Sequence, residues 1–302
     1  MQVTAIRSDE IYKKIMKSPK EQKEDIYRYE LMKPFEFKWQ CIGVPLKAQN
    51  EGAYDVVSMS TMGGGYNPLE INENNADEIS KISSDEFWKA CEYSIVNTLE
   101  GFERYGITLP TKDYIFTIIL NDPKNPMSSM TGDYCGDGGI PGYIIGTIIP
   151  NESSLSMLPV ALAHETNHNV RWQFMEWNPN ITLGDMVVSE GLAENFAAMM
   201  FGEDKIGMWV KSTSINTLEN IIKPAIKANI NENDFSKLSA YLYGDEIAAM
   251  RGIEGVGMPY CAGYACGYEL IKYYLKKTGK NIYEATIMPT KEILKEIEEF
   301  WK

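Results

Sequence analysis

The sequence predicts an α+β protein: a mixed front half, two central helices and a largely helical back half. Three observations predict it. Two short isoleucine-rich runs, Tyr114–Leu120 and Tyr143–Ile149, end at Asn121-Asp122-Pro123 and at Pro150 and read as buried strands. After residue 158 apolar side chains recur mostly at helical spacing. The 302 residues are 44% hydrophobic and 24% charged, an ordinary balance for a globular chain with a sizeable core.

In chain order, Asp9–Lys17 and Lys20–Met32 read as short helices, followed by turn-rich sequence that includes Gly63-Gly64-Gly65. That triplet lacks the Lys-Ser/Thr ending of a phosphate loop and reads as a plain turn. Ser84 can cap a helix over the run Asp85–Gly106. The first strand follows, then a glycine-rich loop, Gly132 to Gly142, and the second strand. Helices are expected at Leu158–Phe174, with Pro159 in its first turn, and at Leu183–Met200, capped by Thr182. The remainder reads as helices at Asn216–Lys227, Asp234–Tyr243, Tyr260–Lys277 and Lys291–Trp301. This divides the chain into an N-terminal mixed region (1–110), a core that holds the two central helices (111–203) and a helical C-terminal subdomain (204–302).

Composition excludes some classes. With 29 Lys and Arg against 42 Asp and Glu, the net charge of −13 repels phosphate backbones and anionic membrane surfaces. Neither a nucleic-acid partner nor a membrane partner is expected. No segment is long and apolar enough to span a bilayer, and the N-terminus lacks a signal-peptide core. Five cysteines without CxxC spacing suggest reduced, mostly buried thiols and a cytoplasmic location.

The segment with chemical content is His164-Glu165-Thr166-Asn167-His168, an HExxH motif. On a helix, residues i and i+4 project from one face, so both imidazoles can converge on one ion and Glu165 can reach a metal-bound water. Such ligands suit a single Zn²⁺ per chain. The competing reading is an amphipathic helix with two surface histidines. Against it, the flanks are apolar (Leu158, Val160, Leu162, Val170), and a helix apolar on most sides is buried. These are also the only 2 histidines in the chain. Arg171 and Phe174 occupy the places that HExxHxxGxxH requires for glycine and a third histidine, so a third protein ligand must be a carboxylate. Glu190 and Glu194 share a helical face in an otherwise apolar segment. Two buried like charges need a cation beside them, and one can ligate while the other holds a ligand histidine.

HExxH followed by a helix bearing Glu190-Gly191-Leu192-Ala193-Glu194 resembles the gluzincin group of zinc peptidases. With Pro259-Tyr260-x-x-Gly263-Tyr264-x-x-Gly267-Tyr268, the pattern is similar to a bacterial family of predicted zinc-dependent proteases (YjaZ-like), from about Tyr114 to Lys277. The resemblance implies a zincin-like fold with a small mixed sheet, Glu190 as third zinc ligand and Glu194 as the partner of His164. It implies a peptide or protein substrate hydrolysed by a zinc-activated water, with Glu165 as general base. It further implies that the strand carrying Tyr143, Ile144, Ile145 and Gly146 borders the cleft and pairs with the substrate backbone, with a core strand and an ordinary turn as the alternative.

No third histidine remains to stabilise the oxyanion. Tyr260, Tyr264 and Tyr268 share one helical face that Gly263 and Gly267 open to close helix packing; Tyr264 is the candidate, against an aromatic packing stripe as the alternative. The whole reads as an endo- or aminopeptidase. The alternative is a zinc-containing peptide-binding or regulatory module, which would have no use for the base Glu165. The oligomeric state is left open.

Overall fold

A computed structural model describes residues 1–50, 52–129, 132–175 and 180–302. It is α+β and mostly helical, with one four-stranded mixed sheet. The chain forms two units, residues 1–100 with 108–169, and residues 101–107 with 170–302.

The first unit holds the sheet: β1 (Gln2–Ala5), β2 (Asp113–Leu120), β3 (Tyr134–Ile140) and β4 (Tyr143–Ile148), in the order β1-β2-β4-β3. β1 and β4 run parallel to β2, while β3 runs antiparallel to β4 at the end of the sheet. β2 and β4 are the two isoleucine-rich runs. β1 has no apolar run to mark it, since its four residues alternate between exposed and half-buried. β3 corrects the expectation of a loop. Its sequence, Tyr-Cys-Gly-Asp-Gly-Gly-Ile, has poor strand propensity. Its pairing comes from the turn at Pro141-Gly142, where Gly142 takes φ +86, a value that favours glycine.

Helices α1 (Ser8–Lys17), α2 (Glu36–Cys41), α3 (Asp85–Arg104) and α4 (Glu152–Phe174) supply the rest of what positions the site. Trp88 of α3 packs on Phe116 of β2, ring centroids 5.8 Å apart, and both are buried. A Cβ at Gly146 would touch Leu158 and Leu162, so α4 covers the face of β4 that carries Ile144, Gly146 and Ile148.

α4 begins six residues earlier than the sequence reading placed it. The cap lies upstream, where Asn151 and Ser154 exchange backbone N–H to side-chain bonds of 2.9 Å each. Pro159 therefore lies inside the helix, not in its first turn, and removes one i to i−4 hydrogen bond. There the Ser94 hydroxyl of α3 donates to the Pro159 carbonyl at 2.5 Å.

The second unit is helical. α5 (Leu183–Phe201) is capped as expected: Thr182 Oγ1 accepts from Asp185 N–H at 3.2 Å and Asp185 accepts from Thr182 N–H at 2.9 Å. α6 (Phe235–Tyr243) is capped by Asp234. α7 (Ala262–Thr278) starts after Cys261, a non-glycine residue at φ +48. Tyr260 therefore lies outside the helix, and the expected stripe of three tyrosines reduces to Tyr264 and Tyr268.

α5 and α7 meet backbone to backbone. A Cβ on Gly191 would lie 2.0 Å from the Gly267 carbonyl oxygen, and one on Gly267 would lie 2.3 Å from the Val187 oxygen. Asn195 fastens the crossing by donating to the Gly191 carbonyl at 2.8 Å and the Tyr268 carbonyl at 2.9 Å. Phe102 stacks on Phe196 with centroids 5.5 Å apart.

Arg171 is 1% exposed and donates to the carbonyls of Thr286 (2.8 Å) and Met288 (3.0 Å) and to the Thr290 hydroxyl (2.9 Å). Burial of the guanidinium pushes it down to about 10, against the opposing pull of Asp185. Among the described residues no helix is long and apolar enough to cross a membrane.

Candidate metal centre

The HExxH helix is buried where the motif falls. His164 is 5% exposed, Glu165 9% and His168 8%. The two imidazoles stand one turn apart with centroids 4.7 Å apart, and their Nε2 atoms lie 3.0 Å from one another. Nitrogens converging from i and i+4 is what a shared ligand site on one helix face requires. Glu190 is also buried, and one ligand atom from each of His164, His168 and Glu190 lies within 4.8 Å of the other two.

Ligand bonds of about 2.0–2.2 Å to a tetrahedral zinc place the donors a little over 3 Å from each other. Two imidazoles and one carboxylate form a three-ligand zinc donor set that leaves a fourth position for water. The residues fit the metal.

Glu165 has a defined orientation. Its Oε2 accepts the Gly138 N–H at 2.8 Å. The strand that donates it comes very close: a Cβ at Gly136 would lie 2.3 Å from Glu165 Cγ, and one at Gly138 would lie 2.0 Å from the Glu165 carbonyl oxygen. Alternate strand residues share a face, so Gly136 and Gly138 leave the face toward Glu165 bare. β3 is pinned from elsewhere too. Lys38 of α2, itself 1% exposed, pairs with Asp137. Burial raises the Asp137 carboxyl, but the Lys38 charge and hydrogen bond outweigh it and hold the group below its ordinary value.

The remaining candidates are placed as follows. Glu194 is buried in α5, and its two oxygens accept from Gly207 N–H at 2.5 Å and Trp209 Nε1 at 2.9 Å. Tyr264 packs against Trp209 and Tyr243, ring centroids 6.3 Å and 5.8 Å away. Tyr143, Ile144, Ile145 and Gly146 are the residues expected on the substrate strand. They lie on β4, which is hydrogen-bonded to β2 on one side and β3 on the other. An interior strand has no free edge for a substrate backbone. Among the described strands the two edges are β1 and β3, and β3 is the one beside β4. Of the thiols, Cys91, Cys261 and Cys266 are buried, and burial pushes Cys261 up to about 12, as for an inert core thiol.

Sequence reasoning missed Gly136, Gly138, Asn169 and the Lys38–Asp137 pair. The i, i+2 spacing of the two glycines is a signal for one bare face of a strand. Nothing in the sequence marks Asn169 beyond its place after His168.

Residues 87–295 match the family described as "Predicted Zn-dependent protease (DUF2268)". The "Uncharacterized protein YjfC" of Bacillus subtilis (strain 168) is 32% identical over 295 residues, covering 97% of each chain. No solved structure matches. With the match spanning most of the chain and the relative covering nearly all of it, the protein belongs to this family of predicted zinc-dependent proteases.

Proposed function

We propose that the protein is a zinc-dependent peptidase of the gluzincin type with a zincin-like core. His164, His168 and Glu190 hold one zinc ion, and Glu165 is the general base. The observation that carries the reading is the buried donor set of His164, His168 and Glu190 with Glu165 beside it, oriented by a strand N–H. A purely structural zinc has no use for an oriented carboxylate next to its first ligand.

A zinc ion in this site supplies a Lewis acid and brings the pKa of its water to about 7. Oriented by the Gly138 N–H on Oε2, the Glu165 carboxylate takes a proton from the attacking water and hands it to the leaving amine. Glu194 orients His164 in addition to accepting from Gly207 and Trp209. Tyr264 donates to the developing oxyanion. The substrate is an extended peptide or protein segment that pairs with the outer edge of β3, the last strand in the sheet order. The charge of −13 disfavours nucleic acid as a ligand.

The test is incubation of the zinc-loaded full chain with a mixed peptide library. Cleavage is expected to vanish on chelation and return with added zinc. Zinc held without cleavage of any peptide would instead identify a zinc-containing peptide-binding or regulatory module.

A further inference from the structure

Asn169 has its side chain fully buried at 0% exposure and committed to the β3–β4 hairpin. Its Oδ1 accepts the Gly142 N–H at 2.8 Å. Its Nδ2 donates to the carbonyls of Ile140 (2.7 Å), Tyr143 (3.0 Å) and Gly138 (3.1 Å). An amide nitrogen carries two hydrogens, so three carbonyls share them.

The reason for this crowding is in the ladder. The register between β3 and β4 shifts by one residue between Asp137 and Ile140. A bulge leaves backbone groups without strand partners, and buried ones must be satisfied some other way. Asn169 serves as that partner. It lies four residues after Glu165, so the two project from the same side of α4. One helix therefore holds the hairpin twice, through Asn169 around the bulge and through Glu165 at the Gly138 N–H.

The geometry points to Asn169 as a positioning residue: through the bulged hairpin it fixes Gly138 against the Glu165 carboxylate and sets the free edge of β3 for an extended peptide. The role of Glu165 in this inference rests on the peptidase reading above. The clamp itself does not.

The test uses the zinc-loaded full chain and Asn169→Asp, which keeps an acceptor for Gly142 N–H but faces three carbonyl oxygens with a carboxylate. Zinc content is expected to be unchanged. Amide exchange at Gly138 and Gly142 should accelerate while the amides of α4 stay protected. On a peptide that the wild type cleaves, kcat should fall by about a hundredfold, the cost of misplacing a catalytic group by about 1 Å, and KM should rise.

A role confined to holding the fold together would lower the thermal midpoint and leave kcat of the folded, zinc-loaded fraction untouched. That result overturns the inference, as does wild-type exchange at Gly138 and Gly142. Asn169→Ser, which leaves a hydroxyl and room for a water, carries the same expectations should the Asp variant not fold. If the wild type cleaves no peptide, the peptidase reading falls by itself, and the exchange measurement decides whether Asn169 clamps the strand.

Discussion

Glu165→Gln is expected to keep its zinc and lose peptide hydrolysis by about a thousandfold, within the usual 10²–10⁴ range for removing a general base. The amide has nearly the shape of the carboxylate, and its oxygen can still accept the 2.8 Å bond from Gly138 N–H. The strand, the helix and the two imidazoles should therefore stay where they are, while the proposed proton acceptor is gone. Steady-state kinetics on one cleaved peptide, with metal analysis of the same preparation, reads both. Turnover within tenfold of wild type would remove Glu165 from the chemistry. Loss of zinc would mean that the carboxylate supports the metal more than it serves as base.

The second large effect is on stability. Gly191→Ala and Gly267→Ala each place a methyl group on main-chain atoms of the facing helix, 2.0 Å from the Gly267 oxygen and 2.3 Å from the Val187 oxygen. A side chain could rotate away, but a carbonyl inside a helix cannot, so α5 and α7 must separate. Overpacking costs about 3 kcal/mol, at the upper end of its usual range. For a chain of this size that lowers the thermal midpoint on the order of 10 °C. Because α5 carries Glu190, zinc affinity should fall with it. Gly139→Ala is the contrast. Its Cβ meets nothing nearer than Asp137 Oδ1 at 3.7 Å and its φ is not positive, so the midpoint should hardly move. Equal midpoints for Gly191→Ala and Gly139→Ala in a melting experiment would refute the backbone contact.

The parts of this molecule legible in the sequence are those where one local rule decides. β2 and β4 are continuous apolar runs, the histidines fall at helical ligand spacing, Thr182 caps the helix it precedes, and Gly263 and Gly267 mark a close approach. The errors arose where a long-range contact overrides composition. β3 is glycine-rich because its glycines face Glu165, so the composition that reads as a loop is the one a strand needs at that distance. Cys261 at φ +48 ends the run that would have put Tyr260 on α7. Asn169 had no sequence signal, since its partners are backbone groups whose need for it arises only from the bulge.

Zinc content of the purified full chain, wild type beside Glu190→Gln, tests the central claim most directly. The buried trio predicts about one zinc per wild-type chain and a small fraction of that in Glu190→Gln after dialysis against a weak chelator. Wild-type protein that binds no zinc, or a Glu190→Gln variant that holds it as firmly as wild type, would contradict a site built from His164, His168 and Glu190.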